Sequence, residues 1–181
     1  MRKILTDIET STRRALLAVL LCACLPLQAA PMSEDVYQSV DAFLSTHFVQ
    51  VPVPGTLWLS DEQRDLLRER ADDDPGFRVR YWRQGERSAW VLNVIGRDHP
   101  ITVGVVVGPA GVEDMAVLVY RESRGWEVRH DFFTRQFDGA TLQKRGLDKS
   151  IDNITGATLS VRAMKRAAIM ALILHQQLEK S

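Results

Sequence analysis

The sequence predicts an α+β fold: an antiparallel β-sheet meander flanked by helices, with a buried C-terminal helix that follows a loop of small residues. Three observations lead there. Apolar residues recur at helical spacing near both ends of the chain, and at a spacing of two through the middle. Only short Gly- and Pro-containing turns separate the period-two segments, so consecutive strands run antiparallel. The order helix, helix, sheet, helix segregates the helices from the strands, as in α+β domains.

Ser33 to Val49 reads as an amphipathic helix capped by Ser33. Glu34 and Asp35 suit its positive end, and Val36, Val40, Phe43, Leu44 and Phe48 trace one face. Val51-Pro52-Val53-Pro54-Gly55 breaks it. Ser60-Asp61-Glu62-Gln63 is a capping pattern that opens a second helix, running to Ala71, and Asp72-Asp73-Asp74-Pro75-Gly76 ends it in a turn. Phe77 to Trp82 then alternates apolar and charged residues. Further strands are expected at Ser88 to Ile95, Ile101 to Val107, Val112 to Arg121 and Trp126 to Asp131. From Leu159 to Glu179 the helical period returns through Val161, Met164, Ala168, Ala171, Leu172 and Leu178. Ile169, Ile173 and Leu174 widen the stripe, so this helix is buried around much of its circumference.

Size and charge narrow the function. A chain of 181 residues, 45% hydrophobic and with zero formal net charge, can bury a sizeable core. It lacks the clustered basic residues that phosphate-backbone binding needs, which excludes nucleic acid as a partner. The N-terminus reads as a secretory signal peptide over residues 1–29. Arg2, Lys3, Arg13 and Arg14 precede the apolar run Ala15 to Ala23, and Ala29 closes a small-residue cleavage site. The run is well short of the ~20 residues that span a bilayer. Thr12-Arg13-Arg14-Ala15-Leu16-Leu17 resembles a twin-arginine export signal. Leu21-Cys22-Ala23-Cys24 resembles a lipoprotein box that would put a lipid on Cys24, but Cys22 is unusual there and the Ala29 site is cleaner. Cleavage after Ala29 removes both cysteines and, with them, disulfide and thiol chemistry. The expected organisation is a signal peptide (1–29), an N-terminal helical segment (30–76) and a functional domain (77–181), exported to the periplasm or another extracytoplasmic space.

The chemistry concentrates in Asp152-Asn153-Ile154-Thr155-Gly156-Ala157-Thr158-Leu159-Ser160. A small-residue loop that opens a helix can hold a phosphate, because the first N–H groups of the helix are unpaired and its dipole is positive there. Gly156 and Ala157 would let a bulky ligand approach the backbone. No Walker pattern or G-x-G-x-x-G accompanies the loop. The plainer alternative is that Thr158 or Ser160 simply caps the helix. His47, His99, His130 and His175 are scattered without ligand-pair spacing, so no metal site is expected. No serine or threonine sits in a recognisable hydrolase motif.

Asp152-Asn153-Ile154-Thr155-Gly156-Ala157-Thr158 resembles the covalent flavin-attachment motif of the FMN-binding domain family: Asp, two free positions, Ser or Thr, Gly, Ala, then Thr or Ser. The resemblance extends over about Phe77 to Leu178. It takes in Gly125-Trp126 and the segment Phe132-Phe133-Thr134-Arg135-Gln136-Phe137-Asp138-Gly139, and leaves the N-terminal helices outside. The family includes flavin-carrying subunits of the sodium-translocating NADH:quinone oxidoreductase and of the Rnf complex. There the last Thr of the motif is joined to FMN through a phosphoester, made from FAD by an exported flavin transferase.

The resemblance implies covalent FMN on Thr158, with Asp152, Thr155, Gly156, Ala157 and Leu159 as further site residues. Asp152 cannot be a favourable direct neighbour of a phosphate and is expected to brace the loop or to be read by the transferase. Leu159 is expected to pack by the flavin ring. Trp126 and Phe132/Phe133 are candidates for the ring or for the core. With no acid, base or substrate motif, the implied role is an electron carrier or redox-complex component rather than a stand-alone enzyme, exchanging electrons with a membrane redox protein. The competing reading is a non-redox binding or sensory module of the same fold without flavin.

Overall fold

The computed structural model describes residues 34–180. The expected signal peptide, its Ala29 site, Cys24 and the Ser33 cap lie outside the described residues. Six strands form one antiparallel sheet: β1 (Asp35–Val36), β2 (Gly55–Trp58), β3 (Arg78–Gln84), β4 (Arg87–Ile95), β5 (Pro100–Gly108) and β6 (Gly111–Tyr120), in the order β1-β6-β5-β4-β3-β2. Strands β3 to β6 are a meander, as the short turns require, and β2 pairs with β3 across a longer connection. Among the described residues four α-helices accompany it: α1 (Val40–His47), α2 (Asp61–Ala71), the one-turn α3 (Asp131–Thr134) and α4 (Thr158–Leu178). A small hairpin, β7 (Leu142–Gln143) and β8 (Gly146–Leu147), leads toward α4.

The sheet has a core on each face. Val103, Val105 and Val107 of β5 and Trp90 of β4 pack in one cluster with Ala163, Ala167, Ala171 and Leu174 of α4 and Leu67 of α2. The other cluster joins Val106, Leu118 and Trp82 to Phe43 and Leu44 of α1. Coverage of both faces explains why β5 is buried at every position from Ile101 to Gly108 rather than at alternate ones. Alanines along α4 let the long helix lie close to the strands. Thirteen of its residues are buried, so apolar burial far outweighs helix propensity in holding it.

Helix α2 matches its sequence signals. Ser60 accepts from the Gln63 N–H, and the Gln63 side chain accepts from the Ser60 N–H, completing a capping box. The turn after it is an anion held by cations. Asp74 lies 2.7 Å from Arg64 and 2.6 Å from Arg68. The Arg64 hydrogen bonds, with the Gly76 N–H, keep its carboxyl well below the usual range.

Three expectations are corrected. The helix expected from Ser33 to Val49 is a strand followed by a shorter helix. Asp35 and Val36 pair with Tyr120 and Val119 at the end of β6, and α1 starts only after Ser39, whose hydroxyl accepts from the Ala42 N–H. An available sheet edge outcompeted local helical preference, and Glu34 pairs with Arg121 at 2.7 Å instead of serving a helix start. Second, Gly55–Trp58 is a strand paired with β3, where the prolines pointed only to a break. As the outermost strand it tolerates flanking prolines. Third, Trp126 to Asp131 is not a strand. It forms a 3-10 turn over Trp126–Arg129 that runs into α3. Gly125, at φ +85°, turns the chain away from the sheet, and β1 occupies the end of the β6 edge that a further strand would have used.

One buried polar relay crosses from sheet to helix. The Trp90 indole N–H donates to Ser88 Oγ (2.8 Å), and Ser88 Oγ lies 2.7 Å from His175 Nδ1. The assignment that leaves no serine hydrogen unpaired has Ser88 donating to Nδ1, which places the ring hydrogen on Nε2, facing Glu179 at 3.8 Å. Burial lowers the His175 pKa, so the neutral ring that accepts from Ser88 is the favoured form. Among the described residues no helix is long and apolar enough to cross a membrane.

Candidate functional site

The loop between β8 and α4 is built on buried anchors and an exposed tip. Ile151 and Ala157 are buried, while Asp152, Asn153, Thr155, Gly156 and Thr158 are exposed. The Ala157 N–H bonds the Ile154 carbonyl at 2.9 Å, closing a turn with Thr155 and Gly156 at its apex. Gly156 adopts φ +84°, a left-handed conformation that opposes any side chain, with open space where a Cβ would stand.

Neither hydroxyl caps α4. The N-cap position is Ala157, and no side chain bonds the first-turn N–H groups. Ser160 is turned inward, its Oγ 2.9 Å from the buried Tyr120 hydroxyl, which also donates to the Arg124 carbonyl at 2.5 Å. Burial pushes the Tyr120 pKa up to about 12, so it stays a neutral donor. Thr158 is the first helical residue. Its exposed Oγ1 accepts from the Asn153 amide at 3.1 Å. The positive end of a 21-residue helix therefore faces solvent beside an accessible hydroxyl.

The expected site residues divide accordingly. Thr158, Thr155, Gly156, Asp152 and Leu159 surround the exposed tip, with Leu159 40% exposed beside Thr158 in the sequence. Ala157 does not line the open loop. Its smallness serves the interior, where its Cβ would be 3.3 Å from any Cβ placed on Gly125. Asp152 braces the loop through its backbone, the N–H donating to Gln136 Oε1 at 2.7 Å, while its carboxylate is exposed. Sequence reasoning missed Gln136 and Tyr120 and the contact of Asn153, and it offered Ser160 only as a helix cap, which it is not. Asn153 occupies a position the attachment motif leaves free, and the other three become relevant only through long-range contacts.

Gly125 sits against Ser160 and Ala157, so the Trp126 turn begins at the base of the loop. Of the aromatic candidates, Phe133 belongs to the core and packs edge-on against Phe137. Trp126 and Phe132 are 43% and 63% exposed, joined through His130, which meets Trp126 edge-on and stacks with Phe132. Arg129 lies 4.2 Å over the Tyr37 ring and 5.1 Å from that of Trp126. Arg129, His130, Asp131 and Thr134 form one wall of a cleft of about 680 Å³ whose other walls are Tyr37, α1 and β6; Thr158 does not line it. Among the described residues no cluster of histidines and carboxylates could hold a metal ion.

Comparison with curated proteins and with solved structures gave no match. A family model does match, over residues 96–173, a span that holds β5, β6, the Trp126 turn, the exposed loop and most of α4. The matching model is that of the FMN-binding domain, and the expected loop, its hydroxyl and the start of its helix all lie inside the span that is similar to it.

Proposed function

We propose that the protein is an extracytoplasmic electron-transfer flavoprotein with FMN joined through its phosphate to Thr158 Oγ1. The family supplies the coarser statement, a flavin-binding role. The observation that carries the finer one is the exposed Thr158 hydroxyl at the uncapped N-terminus of α4, held by the Asn153 amide. Ser160, the neighbouring hydroxyl on the helix, is buried against Tyr120 and inaccessible to an enzyme.

The residues fit the group. The helix N-terminus favours the phosphodiester's remaining negative charge, Gly156 leaves space beside it, and no carboxylate needs to contact it. Attachment from FAD balances as follows. A bond forms between Thr158 Oγ1 and the FMN phosphorus, the pyrophosphate P–O bond breaks, AMP leaves, and the hydroxyl proton is released. A flavin transferase outside the cytoplasm would catalyse this step, and the signal-like N-terminus supports that location. Once bound, FMN supplies one- and two-electron chemistry. The chain holds it at a fixed point, so a membrane redox protein can exchange electrons with it without losing it to solvent.

The test is intact mass and in-gel fluorescence after co-expression with a flavin transferase. The wild type gains one FMN less one water and fluoresces after denaturation, Thr158→Ser retains the label, and Thr158→Ala loses it. A colourless wild type under those conditions would favour a flavin-free binding module. A label mapped to Thr155 or Ser160 would overturn the site.

A further inference from the structure

We propose that the cleft at the C-terminal end of α4 is a second binding site, one that takes a phosphate ester, either a free organic phosphate or the headgroup of an anionic phospholipid. It is independent of the flavin reading. Thr158 opens the same helix, and 21 residues rising about 1.5 Å each put the two ends about 30 Å apart. The cleft has a volume of about 310 Å³ and lies where α2, the β7–β8 hairpin and α4 meet. Its charged lining is Arg70 from α2, Lys144 from the hairpin turn and Lys180 just beyond α4, and no carboxylate lines it.

None of the three cations is neutralised among the described residues. Neither lysine ammonium has a hydrogen bond or an ion pair there. Arg70 donates from Nη2 to the Gln143 carbonyl at 2.5 Å, while its Nε is buried without a partner. An unpaired buried donor is unfavourable, and a ligand oxygen beside it would relieve that penalty. Cations gathered without an anion repel one another. The negative end of α4 answers only part of this, because its dipole is worth about half a charge. A carboxylate ligand would bring one charge and two oxygens. A phosphate ester brings one or two charges and four oxygens, a closer match to a guanidinium fork and two ammonium groups. Leu66, Leu142 and Ile173 give the cleft an apolar side that the organic part of the ligand can cover. Because both lysines are exposed, the attraction is partly screened and falls with salt.

The experiment measures binding of the full chain to soluble glycerol phosphate by calorimetry, and to phosphatidylglycerol or phosphatidylcholine vesicles by sedimentation. Binding of glycerol phosphate identifies a free phosphate as the source, and binding of phosphatidylglycerol alone identifies the lipid; either supports the site. Lys144→Gln and Lys180→Gln, which break no contact among the described residues, should each weaken that binding about fivefold, the value of one cation facing an anionic group. Arg97→Gln makes the same charge change on the β4–β5 turn, where Arg97 faces Asp98, and should leave binding unchanged. All variants share the same N-terminal residues, so any contribution from those is common to the comparison. Thermal melts establish that each variant is folded. Acetate at equal ionic strength should compete far more weakly than glycerol phosphate. The site is overturned if neither glycerol phosphate nor phosphatidylglycerol binds, or if phosphatidylcholine binds as well as phosphatidylglycerol. It is overturned equally if acetate competes as strongly as glycerol phosphate, or if Arg97→Gln matches the lysine variants. No flavin enters these measurements, so such a failure leaves the flavoprotein reading standing.

Discussion

Gly125→Ala should cost this protein well beyond the backbone strain of a left-handed turn alone. The residue sits at φ +85°, and an added Cβ would stand 2.5 Å from Ser160 Oγ and 3.0 Å from the Tyr120 hydroxyl. The backbone contribution is about 1 kcal/mol, the cost of a side chain in the left-handed region. The steric contribution is larger. Ser160 must rotate, which breaks its bond to Tyr120 and leaves a buried hydroxyl unpaired, for about another 1–3 kcal/mol. The total is about 2–4 kcal/mol, which in a domain of this size lowers Tm by about 10 °C. Gly139→Ala is the reference, since Gly139 has φ +70° and open space where a Cβ would go. It should cost only the backbone contribution, about 1 kcal/mol. Urea denaturation and calorimetry of both variants, and of Gly125→Ala in a Ser160→Ala background, separate the two effects. The reasoning fails if Gly125→Ala and Gly139→Ala agree within about 0.5 kcal/mol, the range of an ordinary surface change. It fails equally if prior removal of the Ser160 hydroxyl gives no relief.

Removing the Asn153 amide should slow flavin attachment at Thr158 by about fivefold, the value of one hydrogen bond near 1 kcal/mol, with little change in Tm; an unchanged labelling time course would show that the Asn153 contact does not position the hydroxyl. Burial makes His175 resist protonation inside the fold, whereas the unfolded chain takes up that proton near the ordinary histidine value of 6.5. The unfolded state then binds more protons below that pH, so stability falls as pH drops from about 7 to 5. Melts across that window should show the acid slope flatten in His175→Gln, and an identical slope would assign it elsewhere. Asp74→Asn should loosen the turn after α2 by leaving Arg64 and Arg68 without their shared anion, read as faster amide exchange over 72–76; unchanged exchange would mean the network is ornamental. Sequencing of exported material should begin at Ala30, and a lipidated Cys24 or a retained Met1 would contradict the proposed cleavage.

The sequence by itself determined the elements whose signals are local. The meander from β3 to β6 followed from the period of two and its turns, α2 from the Ser60–Gln63 capping box, and α4 from its apolar spacing. The candidate loop was equally visible as a pattern, because Asp152, Thr155, Gly156, Ala157 and Thr158 lie within seven consecutive residues. What depended on remote partners could not be read locally. Asp35 and Val36 are a strand because β6 offers an edge, although the residues themselves suit a helix. Trp126 to Asp131 leaves the sheet because Tyr120 and Gly125 redirect it. The roles of the hydroxyls were also decided in three dimensions. Ser160 is removed from chemistry by Tyr120, forty residues earlier, and Ala157 is small for the sake of Gly125. Thr158 stays accessible because nothing among the described residues covers the end of α4. Periodicity and capping are encoded within a few residues, whereas exposure is a property of everything that packs nearby, and only the folded chain brings those neighbours together.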